Sequence, residues 1–241
     1  GTRHVLVNVP AYTLEAVSGD HVALEMPVIV GKPVFDTPEF DTVIRQIELN
    51  PYWNVPTSIV VNEFLPELLQ DPHWLHDNHY RLYASREGGT YEIDTRSLDW
   101  QRLGAGIGRY RVRQDPGPWN ALGTLKFIMP NAHAIYLHDT PHQSLFGLAG
   151  RAFSHGCIRL SQPHALAAFA LGIHVDSERF QDIRERTASG ETFRINLPQP
   201  LPVHIVYRTA WVDSNGTIRF IADVYSRDPE WRRLDNYRPT P

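Results

Sequence analysis

Alternation of apolar and polar positions dominates the first 50 residues. The runs HVLVNVP (4–10), YTLEAV (12–17) and ALEMPVIVG (23–31) are separated by Pro10 and by SGD at 18–20. A period of two puts every other side chain on one face, so each run predicts a strand and the breaks read as hairpin punctuation. Two prolines interrupt GKPVFDTPEF (31–40), and TVIRQIELNP (42–51) predicts a further strand ending at Pro51. In WNVPTSIVVNEFLPELLQDPHWL (53–75) the period lengthens to a helical one. Pro66 suits a first turn there, with Leu65, Leu68 and Leu69 facing a core.

Residues 62–118 differ in composition from their surroundings. RLYASREGGTYEID (81–94) carries a Gly88–Gly89 hairpin signal, and RLGAGIGRYRVRQDPGP (102–118) is rich in Gly and Arg. GAGIGRY (104–110) has the glycines of a phosphate loop but neither a strong preceding strand nor the lysine, so a flexible loop is expected. The segment reads as an insertion, a lid between two parts of a β-rich domain. Strand signals return in LGTLKFIMP (122–130) and HAIYLHD (133–139). A helix follows, with Ser161 as its cap, Pro163 in its first turn and Gly172 at its end; a second is expected within 176–190. PVHIVYRTAWV (202–212) and TIRFIADVY (217–225) predict closing strands joined by a turn at DSNG (213–216), ahead of a charged tail, 227–241.

Composition narrows the class. With 42% hydrophobic and 21% charged residues, the 241-residue chain fits one elaborated globular domain or a domain with a subdomain. A net charge of −4 gives no reason to expect nucleic acid, and RYRVR (109–113) and EWRRL (230–234) read as solvated faces. No apolar run approaches the roughly 20 residues of a membrane span. The opening GTRHVLVNVP lacks an initiator Met and reads as a trimmed end, with any export signal or N-terminal domain removed.

Cys157, the single cysteine, rules out an internal disulfide and multi-cysteine metal ligation. It sits in FSHGCIRL (153–160). A thiolate attacks carbonyls, so a nucleophilic cysteine needs a base; His155 is two residues away and His138 lies 19 back, at the end of an expected strand. Gly156 permits a tight turn whose successive N–H groups can face one oxyanion. A plain alternative stands beside each role: a buried inert thiol, a structural His138, a His155 that only braces the loop, an Arg159 that only pairs with a carboxylate. His133, His138, His142 and His155 with Cys157 fit no common zinc pattern, so neither metal nor cofactor is expected. Asp139 adjoins His138 on a strand and should face away from it, which argues against a Cys–His–Asp triad. Trp53, Trp74, Tyr110 and Trp119 are candidates for lining a groove. On these residues alone, any cysteine peptidase or acyltransferase qualifies.

IYLHDTP…SHGCIRL, spanning 135–160, resembles the signature of the L,D-transpeptidases, the YkuD-type catalytic domain; VNVPAYTLEAV, VIVGKP and GTLKFIMPN resemble its strands. The insertion resembles the capping subdomain of the larger Gram-negative members. The resemblance implies a mainly β fold with some α, a mixed β-sandwich or partly closed barrel. Residues 1–61 and 119–226 would form the catalytic domain, with 62–118 as an inserted α/β cap. It also implies Cys157 as nucleophile and His138 as base, oriented by a backbone carbonyl near Asp139. His155 and Gly156 would join Cys157 in the oxyanion hole. Ser154, Arg159, Tyr136 and Asp139 would border the substrate, Arg159 suiting a stem-peptide carboxylate. The implied reaction takes a peptidoglycan tetrapeptide donor, expels D-Ala through a thioester, and passes the acyl group to a diaminopimelate acceptor as a 3→3 cross-link. Carbapenem sensitivity and a periplasmic location accompany it. Carboxypeptidase action, lipoprotein attachment or release, and a non-catalytic peptidoglycan-binding module remain open on the same fold. Many relatives carry an Asn after CIRL, where this chain has Ser161–Gln162–Pro163.

Overall fold

A computed structural model describes residues 2–213 and 216–228. Before the insertion lie strands β1 (Arg3–Asn8), β2 (Thr13–Ser18), β3 (His21–Gly31) and β4 (Phe40–Leu49). Four short strands follow: β5 (Trp53–Asn54), β6 (Tyr80–Arg86), β7 (Gly89–Ile93) and β8 (Arg111–Gln114). Then come β9 (Leu125–Ile128), β10 (Leu137–His138), β11 (Ala152–Ser154), β12 (Ile158–Leu160), β13 (Phe193–Val206), β14 (Ala210–Val212) and β15 (Ile218–Phe220). The fold is mainly β, as expected.

The large sheet runs β11-β3-β12-β10-β9-β4-β13-β1-β2, and a further β3–β2 pairing closes it into a barrel. Most pairs are antiparallel, while β1 with β13, β10 with β12 and β11 with β3 are parallel. Alternation explains the closure. Val5, Val7, Leu14, Ala16, Ile47, Phe127, Leu137, Ile158 and Val203 are fully buried in one shared core, and their neighbours in sequence turn outward. Helices Pro163–Leu171 and Glu178–Ala188 pack Leu166, Ala167, Leu171 and Ile183 onto the same core. No helix among the described residues is long and apolar enough to cross a membrane.

Strands β5-β8-β6-β7 form a second sheet with its own cluster around Val60, Phe64, Leu68, Leu75, Leu82, Trp100, Ile107 and Val112. The helical run Thr57–Ile59, Val60–Phe64 and Leu65–Gln70 passes through residue 62 unbroken, and its middle section is a π-helix. The second unit thus begins at Trp53, ahead of the composition change.

Several local expectations are corrected. GAGIGRY is no flexible loop: Gly104–Arg109 form a 3₁₀ turn because Ile107 is buried in the second cluster. Ser161 does not cap its helix; Gln162 holds that position without a side-chain bond, and the Ser161 hydroxyl is buried without a partner among the described residues. In the next helix Ser177 does accept from the Phe180 N–H. HAIYLHD is a strand only at Leu137–His138, since Asn131 ties up the Ile135 backbone at both N–H and C=O. The DSNG turn contains residues 214 and 215 and the charged tail residues 229–241, all outside the described residues. Arg227, at the start of that tail, pairs with Asp36 (2.5 Å) and Glu39 (3.2 Å).

Candidate active site

The candidate site lies on the outer face of the barrel, where the register sets polar side chains in a row. Leu137 is level with Ile158 and Phe127, all inward, so His138 is level with Arg159 on one side and Lys126 on the other, all outward. Lys126 is level with Glu48, and Glu48 with Arg194. Across five strands the row reads Arg159, His138, Lys126, Glu48, Arg194. Glu48 pairs with Arg194 at 2.8 Å, and Lys126 instead lays its ammonium over the Tyr136 ring, 4.1 Å from the centroid. Tyr136 and His138, two apart, share the face with ring centroids 5.6 Å apart.

Cys157 immediately precedes β12 and is half-buried. The Ile158 N–H donates to the Tyr136 carbonyl (3.1 Å), which brings Tyr136 level with the sulfur. Burial pushes the thiol above its usual pKa; hydrogen bonds from the Tyr136 backbone and side chain, and the charges of Lys126 and Arg159, pull the other way. His138 is buried, and its Nδ1 lies 2.5 Å from the Asp139 carbonyl. A carbonyl only accepts, so Nδ1 carries the hydrogen and the basic lone pair is on Nε2. Burial first, then Arg159 and Lys126, drive the imidazole pKa down to about 3 against the carbonyls of Asp139 and Leu122. The resting pair is therefore a neutral thiol and a neutral imidazole.

The loop between β11 and β12 is braced from within. Gly156 has φ +106°, a backbone that an L side chain rarely adopts, and a Cβ there would lie 3.0 Å from Ile135 Cδ1. Its N–H donates to Ser154 Oγ (3.1 Å), Ser154 Oγ donates to the Cys157 carbonyl (2.5 Å), and Thr37 Oγ1 donates to the Gly156 carbonyl (2.8 Å). Two expectations change as a result. The Gly156 amide, expected to face an oxyanion, is held by Ser154. Ser154, expected to border the substrate, is buried and spends its hydroxyl inside the loop.

Asp139 also departs from the expected substrate contact. Its carboxylate accepts from Thr124 N–H (2.8 Å), Thr124 Oγ1 (2.9 Å) and Thr140 N–H (2.7 Å). It packs on Gly123 at φ +61°, where a Cβ would approach its Cγ to 2.4 Å. The side chain ties two loops together while the backbone carbonyl holds His138. His155 turns to the inserted unit: Nε2 meets Glu63 Oε1 at 2.5 Å, and the ring packs on Phe35 with centroids 4.8 Å apart. Lys32 stands 3.9 Å from the same carboxylate oxygen. Arg159 is half-buried beside His138, and its Nε is buried without a hydrogen-bond partner among the described residues.

Sequence reasoning overlooked Lys126, Glu63 and Lys32. Lys126 was accessible through its strand register with His138; Glu63 and Lys32 are local to nothing near Cys157 and left no signal. Of the aromatics singled out, Trp53 packs at the edge of the second cluster, 6.3 Å from Phe64 and 6.1 Å from Tyr80 between ring centroids. Trp74 stacks within the second cluster (5.5 Å from Tyr80) and Trp119 on His79 (3.6 Å).

Comparison with known proteins gives this geometry a family. Residues 2–177 match the sequence profile of YkuD, the L,D-transpeptidase catalytic domain. The chain belongs to the YkuD L,D-transpeptidase catalytic-domain family. A Haemophilus influenzae protein provisionally named as an L,D-transpeptidase is 34% identical over 226 residues, 93% of this chain and 44% of that protein. The chain thus spans less than half the length of this curated relative. Among solved structures, the L,D-transpeptidase from Mycobacterium smegmatis aligns at 14% identity and TM-score 0.39, covering 85% of this chain and 58% of the other. L,D-transpeptidase 3 from Mycobacterium tuberculosis, in complex with a faropenem-derived adduct, aligns at 13% identity and TM-score 0.40, over 85% and 60%. Likenesses this slight carry no argument; membership in the L,D-transpeptidase family rests on the profile.

Proposed function

We propose that the protein is a cysteine acyltransferase that forms 3→3 cross-links between peptidoglycan stem peptides. The observation that carries this reading is the shared outer face of β10 and the β11–β12 loop. There His138, its tautomer fixed by the Asp139 carbonyl, lies level with Arg159, two residues after Cys157, within the family of L,D-transpeptidase domains.

His138 Nε2 takes the proton from Cys157 Sγ as the sulfur attacks the carbonyl of the third stem residue. The amides of His155 and Cys157 hold the oxyanion, and Lys126 and Arg159 favour negative charge there while disfavouring an imidazolium. Collapse breaks the bond to D-Ala, whose amine leaves with the proton from His138, and a thioester remains. An amine of a second stem, deprotonated by His138, then attacks the thioester carbonyl and releases the thiol. The partnerless Nε of Arg159 supports a role in holding a donor carboxylate. The inserted unit acts as a lid that keeps water from the thioester while an acceptor enters. A substrate of this class places the protein in the periplasm, and carbapenems would acylate the same sulfur.

Muropeptide analysis tests the transfer. Purified protein given tetrapeptide donor and disaccharide-tetrapeptide acceptor is expected to yield 3→3 dimers. Release of tripeptide alone would make the enzyme a carboxypeptidase and contradict the proposal.

A further inference from the structure

Gly31, Thr37 and Tyr225 close a ring of hydrogen bonds against the Cys157 loop. Thr37 is fully buried, and its hydroxyl accepts from the Gly31 N–H (2.9 Å) while donating to the Gly156 carbonyl (2.8 Å). The Thr37 N–H in turn donates to the Tyr225 hydroxyl (3.2 Å), whose own hydrogen goes to the Gly31 carbonyl (2.6 Å). Every direction is fixed, because an amide N–H only donates and a carbonyl only accepts. Tyr225 is itself held. Its N–H donates to the Tyr207 hydroxyl (2.7 Å), the two rings stack at 5.4 Å, and Arg227 covers both at 4.6 and 5.1 Å. Tyr225 and these supports lie beyond residues 2–177, the part of the chain that matches the family profile.

The ring bears on Cys157 through one peptide unit. The bond from Gly156 to Cys157 is trans, and in a trans peptide the C=O and the following N–H point in opposite directions. Whatever holds the Gly156 carbonyl therefore aims the Cys157 N–H the other way, and that N–H makes no hydrogen bond among the described residues. We propose that Thr37 is a positioning residue whose hydroxyl directs the Cys157 N–H at the oxyanion formed during acylation, with Tyr225 keeping Thr37 in place. This rests on the reading of Cys157 as the acyl-accepting nucleophile. When Sγ adds to a carbonyl carbon, the π electrons move onto the oxygen, and a preplaced N–H stabilises that charge without reorganising. Neither hydroxyl loses its proton, and His138 remains the base. Loss of the Thr37 hydroxyl frees the Gly156–Cys157 peptide to rotate and leaves Sγ and His138 where they are.

The test compares two reactions of the same sulfur, each followed by intact mass on the whole chain. Meropenem reacts through its carbonyl and needs the oxyanion stabilised; iodoacetamide reacts at a saturated carbon, with iodide leaving, and does not. Thr37→Val removes the hydroxyl at nearly constant shape. It should slow acylation by meropenem about 10- to 100-fold, less than outright loss of an oxyanion donor. Alkylation by iodoacetamide should stay at the native rate, whereas a loop merely loosened would change both. Tyr225→Phe should slow acylation by about two- to ten-fold, the weight of one neutral hydrogen bond, and Thr37→Ser should recover most of the rate lost in Thr37→Val. Unchanged acylation in Thr37→Val overturns the proposal, as does an equal fall in alkylation or a Thr37→Ser as slow as Thr37→Val. Should Thr37→Val not fold, Tyr225→Phe decides by the same two rates, and unchanged acylation there overturns the proposal. A native protein that iodoacetamide alkylates and meropenem leaves untouched removes the reading of the nucleophile, and this inference with it. Acylation alike in the native protein and the variants removes this inference alone.

Discussion

The barrel and the inserted unit meet at one cleft but hold their residues there by different means. In the barrel, His138 and the residues flanking Cys157 are set by parallel register, and the supporting hydrogen bonds are buried at Thr37 and part-buried at Asp139 and Ser154. The inserted unit reaches the cleft with few groups. One of them is Glu63, on a side chain 43% exposed, against a His155 side chain 27% exposed. Bonds of the first kind are costly to break because each leaves a buried polar group unpaired, about 1–3 kcal/mol apiece. An ion pair as exposed as Glu63 with His155 is worth roughly 0–1 kcal/mol. On the proposed function, chemistry sits in the more firmly bonded region and access in the weaker contacts, so the second could change without disturbing the first.

The largest test of that contrast is His138→Gln. Removing the base should slow thioester formation by about 10²–10⁴-fold, measured as the rate of donor acylation. The same variant carries a pH signature. The imidazole is depressed from its ordinary value near 6.5 to about 3 in the fold. Its neutral form therefore contributes fully above about pH 6.5, and that contribution is lost progressively as the pH falls towards 3. The native protein's melting temperature should thus drop more steeply between pH 7 and pH 4 than that of His138→Gln. Parallel curves would mean that the imidazole is not held neutral by burial.

At the small end stands Glu63→Gln, which loosens the inserted unit and leaves the barrel alone. We expect an unchanged melting temperature and a rise of about two- to five-fold in the iodoacetamide rate at Cys157, from the roughly 0–1 kcal/mol of the contact. A loss of stability comparable to that of a buried bond would erase the distinction between the two regions.

How far the chain could be read without its structure follows the same division. The barrel strands were legible because one face of each is buried, which writes a period of two into β1–β4, β9 and the end of β13 from Pro202, whereas its start at Phe193 was not read. The Asp139 carbonyl on His138 was legible because the two residues are adjacent and lie in a recognisable motif. The roles of Ser154 and the Asp139 side chain were not. Whether a hydroxyl or carboxylate faces a ligand or its own loop depends on partners such as Thr124 and Gly156, and residue type does not tell these apart. The approach of Glu63 to His155 depends on a contact far apart in sequence that leaves no local pattern, and so does the order of strands that closes the barrel.

The account stands on Cys157 as the group that takes the acyl chain. Incubating the native protein and Cys157→Ala with meropenem and weighing both intact tests this directly. One covalent adduct on the native protein, located at Cys157 and missing from Cys157→Ala, is the predicted result. No adduct on the native protein, or an adduct that persists in Cys157→Ala, would contradict it.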